Sequence, residues 1–275
     1  MNDSPLRAAA SRGATATGGA VREFLTGAGL LGRGLGLVLR SPRLLGLGLV
    51  PAVLTGVLYA AALITVIAFL GDLAAAVTWF ADDWSTLWRD LIRVIAGVAL
   101  LGVGGLLGVL TFTAVTLVIG DPFYEKISGL VEHRYGGVPD EVEVPLLRSL
   151  GNSLRDSLRL VGLSILLGIP LLLGGFIPLV GQTVIPVLGA AVAGWILAVE
   201  LTGVPFQRRD KRLHDRRAAL RTRRPLALGF GVAVFVCFLI PLGAVLLMPA
   251  AVAGGTLLSR KVLGLPADTI TTESL

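Results

Sequence analysis

Two stretches without one charged side chain, Leu160 to Val199 and Pro225 to Ser259, constrain this chain more than any other feature. Each is interrupted near its middle. The first break is Phe176-Ile177-Pro178-Leu179-Val180-Gly181-Gln182-Thr183 and the second is Leu239-Ile240-Pro241-Leu242-Gly243. Aligning Pro178 with Pro241 also brings Pro186 onto Pro249, and Ala-Ala-Val-Ala-Gly follows further on in both, so the two stretches read as copies of one helical hairpin. A crossing of a hydrocarbon core about 30 Å thick needs roughly 20 apolar residues at about 1.5 Å each. Cutting at the breaks leaves arms of about 15 to 18 residues, somewhat short of that length. Each pair therefore either dips into the bilayer and returns to the side it left, or makes two cramped crossings.

Composition agrees with a membrane solvent. Of the 275 residues, 54% are hydrophobic and only 15% charged, with a mean hydropathy of +0.83, too apolar for a water-soluble domain of this size. The net charge of +6 lies beside apolar runs, where basic residues set topology or meet anionic lipid, so no nucleic-acid partner is expected. The single cysteine, Cys237, sits in an apolar arm and has no intrachain partner for a disulfide.

In chain order, residues 1–20 are rich in Ala, Gly, Ser and Thr and are expected to be a disordered tail without a signal-peptide core. One membrane domain is expected over 21–264. It opens with an amphipathic helix at the membrane surface from Val21 to Leu39, although seven glycines between Gly18 and Gly36 argue against a strong helix. Spans follow at about 44–70, with a kink at Pro51, and at about 94–119. Gly104 and Gly108 offer a close-packing face on the second span. The loop between them carries Trp79, Trp84 and Trp88, an interfacial aromatic belt. From Gly120 to Arg159 the chain is polar, closing in an amphipathic segment with Leu147, Leu150, Leu154, Leu158 and Val161 on one face and Arg148, Arg155 and Arg159 on others. The hairpins occupy about 160–200 and 225–259, and 265–275 reads as a second disordered tail.

Between the hairpins, Glu200 to Arg224 holds nine Lys or Arg against three acids. The positive-inside rule puts this loop and the arginine-rich N-terminal segment in the cytoplasm, and the acidic Trp-rich loop outside. Four single crossings would place the most basic loop on the wrong side, so parity also favours paired arms.

Catalytic motifs are absent from the sequence: no Walker loop, no Cys/His ligand spacing and no serine elbow. No enzyme, cofactor or metal is expected. His133 and His214 lie in separate polar segments, and Asp121 and Glu200 border apolar runs, where charges mostly mark the interface and occasionally relay protons. The hairpin breaks are better candidates. A helix that starts within the membrane points unpaired N–H groups into a low-dielectric region, and Thr183 is placed to cap one such start.

Several blocks then show a family likeness. Phe176 to Leu188, Pro205-Phe206, Ala219-Leu220-Arg221-Thr222-Arg223-Arg224 and Met248-Pro249-Ala250-Ala251 resemble the bacterial sulfate permease CysZ family, which includes the etoposide-induced protein 2.4 domain. Asp121-Pro122-Phe123 followed by Leu130-Val131-Glu132 resembles its other marker. The resemblance covers roughly Gly34 to Leu263. It implies an all-α integral membrane protein with two long transmembrane helices and two half-penetrating hairpins, oligomeric, in the bacterial cytoplasmic membrane, taking up sulfate for cysteine synthesis. Relatives carry an arginine pair just after a Pro-Gly-Leu at the start of the first span. Here Pro42 is followed by Arg43-Leu44-Leu45-Gly46, so the pair is missing from its place. Arg40 and Arg43 are the substitutes expected to hold the oxyanion, with Gly181, Gln182 and Thr183 lining the break within the membrane; the alternative is that the sulfate function is lost and the chain is a non-transporting membrane scaffold or lipid-interacting protein of the same fold.

Overall fold

The computed structural model describes residues 5–138, 146–177, 180–240 and 242–268. Among them there is no strand. The backbone groups into two compact units, one formed by residues 1–47 with 124–275 and the other by residues 48–123.

The smaller unit is a helical hairpin. Helix α2 (Pro42–Ala68) enters it at Gly48 and continues through Pro51. A short α3 (Leu70–Val77) and a 3-10 turn (Trp79–Ala81) lead into α4 (Thr86–Arg134), which leaves the unit at Phe123. The two long helices run antiparallel, meeting where the Tyr59 hydroxyl donates to Thr111 Oγ1 at 2.7 Å and the Tyr59 ring stands edge-on to Phe112. A Cβ on Gly108 would lie 4.0 Å from the Tyr59 ring, an ordinary contact, and one on Gly104 would meet nothing within 4 Å, so neither of the two glycines expected to pack is needed for close approach here. Almost all of the apolar surface of these helices faces outward, with 11% of the α2 window and 6% of the α4 window buried. Such a surface is stable in lipid, where helices alone satisfy their own backbone groups. Trp79, Trp84 and Trp88 are all exposed, as an interfacial belt requires.

The larger unit is built around α10 (Gly243–Val262), of whose apolar window 78% is buried. Against it pack α1 (Pro5–Leu39), α6 (Val180–Leu201) and α9 (Arg224–Phe238). Small residues make this possible. A Cβ on Gly229 would lie 1.9 Å from the Phe24 carbonyl oxygen, and one on Gly27 would lie 2.0 Å from that of Leu226. The glycines of α1, which locally weaken a helix, are here the points where two backbones touch. Helical backbone also extends back to Pro5, across residues where a disordered tail is expected; Ala8-Ala9-Ala10 are strong helix formers and proline suits the first helical position.

A second difference concerns α4. Sequence predicts a polar stretch from Gly120, yet the helix runs on through Pro122 to Arg134. Tyr124, Ile127, Ser128, Val131 and Glu132 recur at helical spacing and all are buried. The Leu-rich amphipathic segment lies within α5 (Leu146–Gly175), but its side chains up to Ser157 lie outside the described residues, as do Pro178 and Pro241. Among the described residues five helices are long and apolar enough to cross a membrane, including the 21 residues Gly181–Leu201 of α6, so this arm exceeds the length expected for it. With 15 residues, α9 falls short, at about 22 Å.

The C-terminal segment is partly ordered where a disordered tail is expected from residue 265. The Leu265 N–H donates to the Arg260 carbonyl at 2.8 Å, Ala267 is buried, and Arg33 bonds both the Ala267 carbonyl and the Asp268 carboxylate at 2.5 Å. Lys261 adds a contact to Asp268 at 3.2 Å. Residues 269–275 lie outside the described ones. The hydrogen bond from Arg33, then the hydrogen bond and the charge of Lys261, hold the Asp268 carboxyl below its ordinary range. A lowered carboxyl contributes stability above its ordinary value, and that contribution disappears as pH falls through the lowered one. Protection of the Leu265 amide against hydrogen exchange, corrected for intrinsic rate, should therefore be retained at pH 6 and fall as the pH drops below the ordinary carboxylate range; unchanged protection in strong acid would show that the ion pairs do not fasten this segment.

Candidate functional site

The last turns of α4, the short α7 (Gly203–Gln207) and the end of α10 converge on one buried carboxylate. Glu132 is 1% exposed. Arg209 grips it in two parallel bonds, Nη1 to Oε1 at 2.8 Å and Nη2 to Oε2 at 3.0 Å, while Arg260 Nη1 donates to Oε2 from the other side. Backbone carbonyls take the remaining donors. Arg209 reaches the Pro205 carbonyl at 2.8 Å, and Arg260 reaches those of Pro266 at 2.7 Å, Gly137 at 3.1 Å and Tyr135. The Tyr135 and Gly137 carbonyls are placed by the turn that ends α4, in which Gly136 and Gly137 have φ of 103° and 70°, a region that favours glycine. Two guanidiniums around one carboxylate leave an excess positive charge in a dry setting, where charges interact far more strongly than in water.

More of the basic loop turns inward. Arg208 lies against Gly129, whose hypothetical Cβ would stand 2.8 Å from Nη2, and that nitrogen donates to the Glu125 carbonyl at 3.3 Å. Arg216, on α8 (Leu213–Thr222), is 5% exposed and lies under Gly203. The basic loop thus divides into inward and outward arginines.

Close by in sequence, Arg134 reaches the start of α2. Its Nη2 donates to Ser41 Oγ at 2.9 Å, and Ser41 is 4% exposed. Pro42 has no N–H, and the first intrahelical bond of this turn runs from the Leu45 N–H to the Ser41 carbonyl at 2.9 Å, so the Arg43 and Leu44 N–H groups face out of the helix start. Arg40 and Arg43 flank it, both exposed and both without a side-chain partner among the described residues. The positive end of a helix and three guanidiniums suit an anion.

Gly181, Gln182 and Thr183 belong to another helix. They occupy the first turn of α6, whose other end reaches Leu201, a helix of 22 residues or about 33 Å. Beyond its other end, after Thr202, comes Gly203, which lies against Arg216. Gln182 and Thr183 are exposed, while Gly181 has a packing role, since a Cβ there would lie 2.1 Å from the Gly175 carbonyl. His133, Asp121 and Glu200 are exposed, and His214 stands 3.7 Å from Asp215 in solvent. Among the described residues no three His, Cys, Asp or Glu side chains are placed to share a metal ion.

Sequence reasoning missed the buried triad. Its one visible mark was Glu132 in the Val-Glu pair; Arg260 merely follows the uncharged run that ends at Ser259.

Helices whose apolar faces point outward, together with arginines gathered in a protein-lined interior, define a multi-pass, all-α integral membrane protein. A family model described as sulfate transporter CysZ/etoposide-induced protein 2.4 matches residues 30–249, and the chain belongs to that family. The match includes Arg40, Arg43, Glu132 and Arg209 and stops short of Arg260.

Proposed function

We propose that this chain is a permease for sulfate or a similar oxyanion and not an enzyme. The observation that carries the reading is the start of α2, where exposed Arg40 and Arg43 flank free N–H groups and Arg134 arrives on Ser41. Arg134 stands in for the second arginine missing after Pro42, and guanidinium groups match tetrahedral oxyanions in pairs of hydrogen bonds. On this reading the protein works in the bacterial cytoplasmic membrane with its N-terminus and basic loop in the cytoplasm, supplying sulfur for cysteine synthesis. It carries no ATPase of its own, so a gradient or an external partner drives transport. The outward apolar faces of α2 and α4 suit lipid and a second copy of the chain, and the exposed basic residues of 207–224 suit anionic lipid. The half-penetrating arrangement is supported by the hairpin tips, where Phe176, Ile177, Leu239, Ile240 and Leu242 are exposed and uncharged, a composition suited to hydrocarbon. Gly181, Gln182 and Thr183 then belong to the path through the membrane.

Equilibrium binding of radiolabelled sulfate to the purified protein tests the site. Arg40→Ala with Arg43→Ala should weaken binding about 100-fold, each charged hydrogen bond contributing about 1.5 kcal/mol, and Arg134→Ala about tenfold. Binding by the double variant equal to that of the parent protein would move the oxyanion away from α2.

A further inference from the structure

We propose that Arg22, Arg221 and Arg224 form a site for the phosphate of an anionic phospholipid headgroup, organised by the Glu23–Arg223 ion pair. Arg223 Nε and Nη2 both donate to Glu23 Oε1, at 2.9 and 2.5 Å, and so fasten the corner between α8 and α9 to α1. That pair is neutral. Around it Arg22 precedes Glu23, and Arg221 and Arg224 lie within two residues of Arg223. All three are exposed, and none of the three guanidiniums has a hydrogen-bond or ion-pair partner among the described residues. The carboxylates nearest in sequence are already engaged, Glu23 by Arg223 and Asp215 by the Arg212 N–H at 3.0 Å. Three like charges held beside one fixed ion pair repel one another, and an anion between them relieves that repulsion.

Phosphate on a lipid, rather than free in water, follows from the neighbours. Val21 and Leu25 flank Arg22 one turn apart and are 54% and 63% exposed. An exposed arginine set between exposed aliphatic side chains suits a helix lying at the headgroup boundary. The corner is also where α9 begins, and from Pro225 to Phe238 that helix has no charge, so the arginines stand where water gives way to hydrocarbon. Each guanidinium can give two parallel hydrogen bonds to one phosphate. The site uses none of the residues assigned to the oxyanion at α2. It rests on the reading that the exposed part of the 207–224 segment faces anionic lipid, and it stands whether or not the protein transports sulfate.

The test counts lipid bound to the purified full-length protein by native mass spectrometry, with short-chain phosphatidylglycerol or phosphatidylcholine added, and with glycerol 3-phosphate or inorganic phosphate as competitors. Phosphatidylglycerol is expected to bind preferentially. Changing Arg22, Arg221 and Arg224 together to alanine should lower its affinity about 100-fold, about fivefold for each basic residue, and lysine at all three positions should restore most of it. Sulfate binding should be unchanged, which separates this site from that at α2. Equal retention of phosphatidylglycerol by the alanine variant would overturn the proposal. Displacement of the lipid by an equal concentration of glycerol 3-phosphate or inorganic phosphate would overturn it too, because the ligand would then be a free phosphate. If the triple variant does not elute as a single species, Arg221→Ala alone is read, with about a fivefold loss expected and no loss counting against the site.

Discussion

Replacing Glu132 by alanine should lower stability by about 3–5 kcal/mol, because two buried guanidiniums then lose their common counter-charge. The backbone carbonyls of Pro205, Pro266, Gly137 and Tyr135 would still accept hydrogen bonds from Arg209 and Arg260, but carbonyl dipoles do not neutralise two full charges. A loss of that size is a large share of the 5–15 kcal/mol by which a typical domain is stable. Removing the charges together behaves differently: Glu132→Met with Arg209→Leu and Arg260→Met should recover most of the stability, since a buried ion cluster replaced by apolar groups of similar volume is often neutral or better. Thermal unfolding of the purified protein in detergent, followed by the fraction that still elutes as one species, measures both. A Glu132→Ala melting curve superimposable on that of the parent would mean that the cluster is hydrated and not the dry triad described above.

The second large effect lies at the crossing of α1 and α9. Gly229→Ala places a methyl group 1.9 Å from the Phe24 carbonyl oxygen, and no rotamer change relieves a backbone clash. The helices must separate, at a cost of about 1–3 kcal/mol for overpacking. Gly29→Ala is the matched control. It adds the same atom to exposed α1 backbone with nothing within 4 Å, and it should be neutral or stabilise by about 0.5–1 kcal/mol through helix propensity. A lower melting temperature for Gly229→Ala and an unchanged or higher one for Gly29→Ala is expected. The reverse order would mean that the two backbones are not in contact.

These residues also show how far the sequence could be read. Length and charge were enough for the apolar helices and for the breaks near Phe176 and Leu239, because a bilayer fixes the run length of a helix and excludes charge. They were not enough for α4 beyond Gly120. There Pro122 and mixed charges concealed the buried stripe from Tyr124 to Glu132, and such a stripe is recognisable only when its partner is known. The glycines of α1 were legible as helix weakeners but not as contact points, since what they touch lies about 200 residues away. For the same reason the triad was invisible: Arg209 and Arg260 reach Glu132 across 77 and 128 residues. Arg40 and Arg43 were singled out by the family likeness as candidates, whereas Arg134 required the fold that carries it to Ser41, 93 residues away.

The most direct measurement is radiolabelled sulfate uptake into liposomes holding the purified protein, with selenate, phosphate and empty vesicles as controls and the Arg40→Ala, Arg43→Ala double variant alongside. Uptake above empty vesicles that selenate competes for, and that the double variant loses, is the predicted result. Folded protein that gives no more uptake than empty vesicles would contradict the permease reading, and a double variant that transports as well as the parent would contradict the oxyanion site at α2.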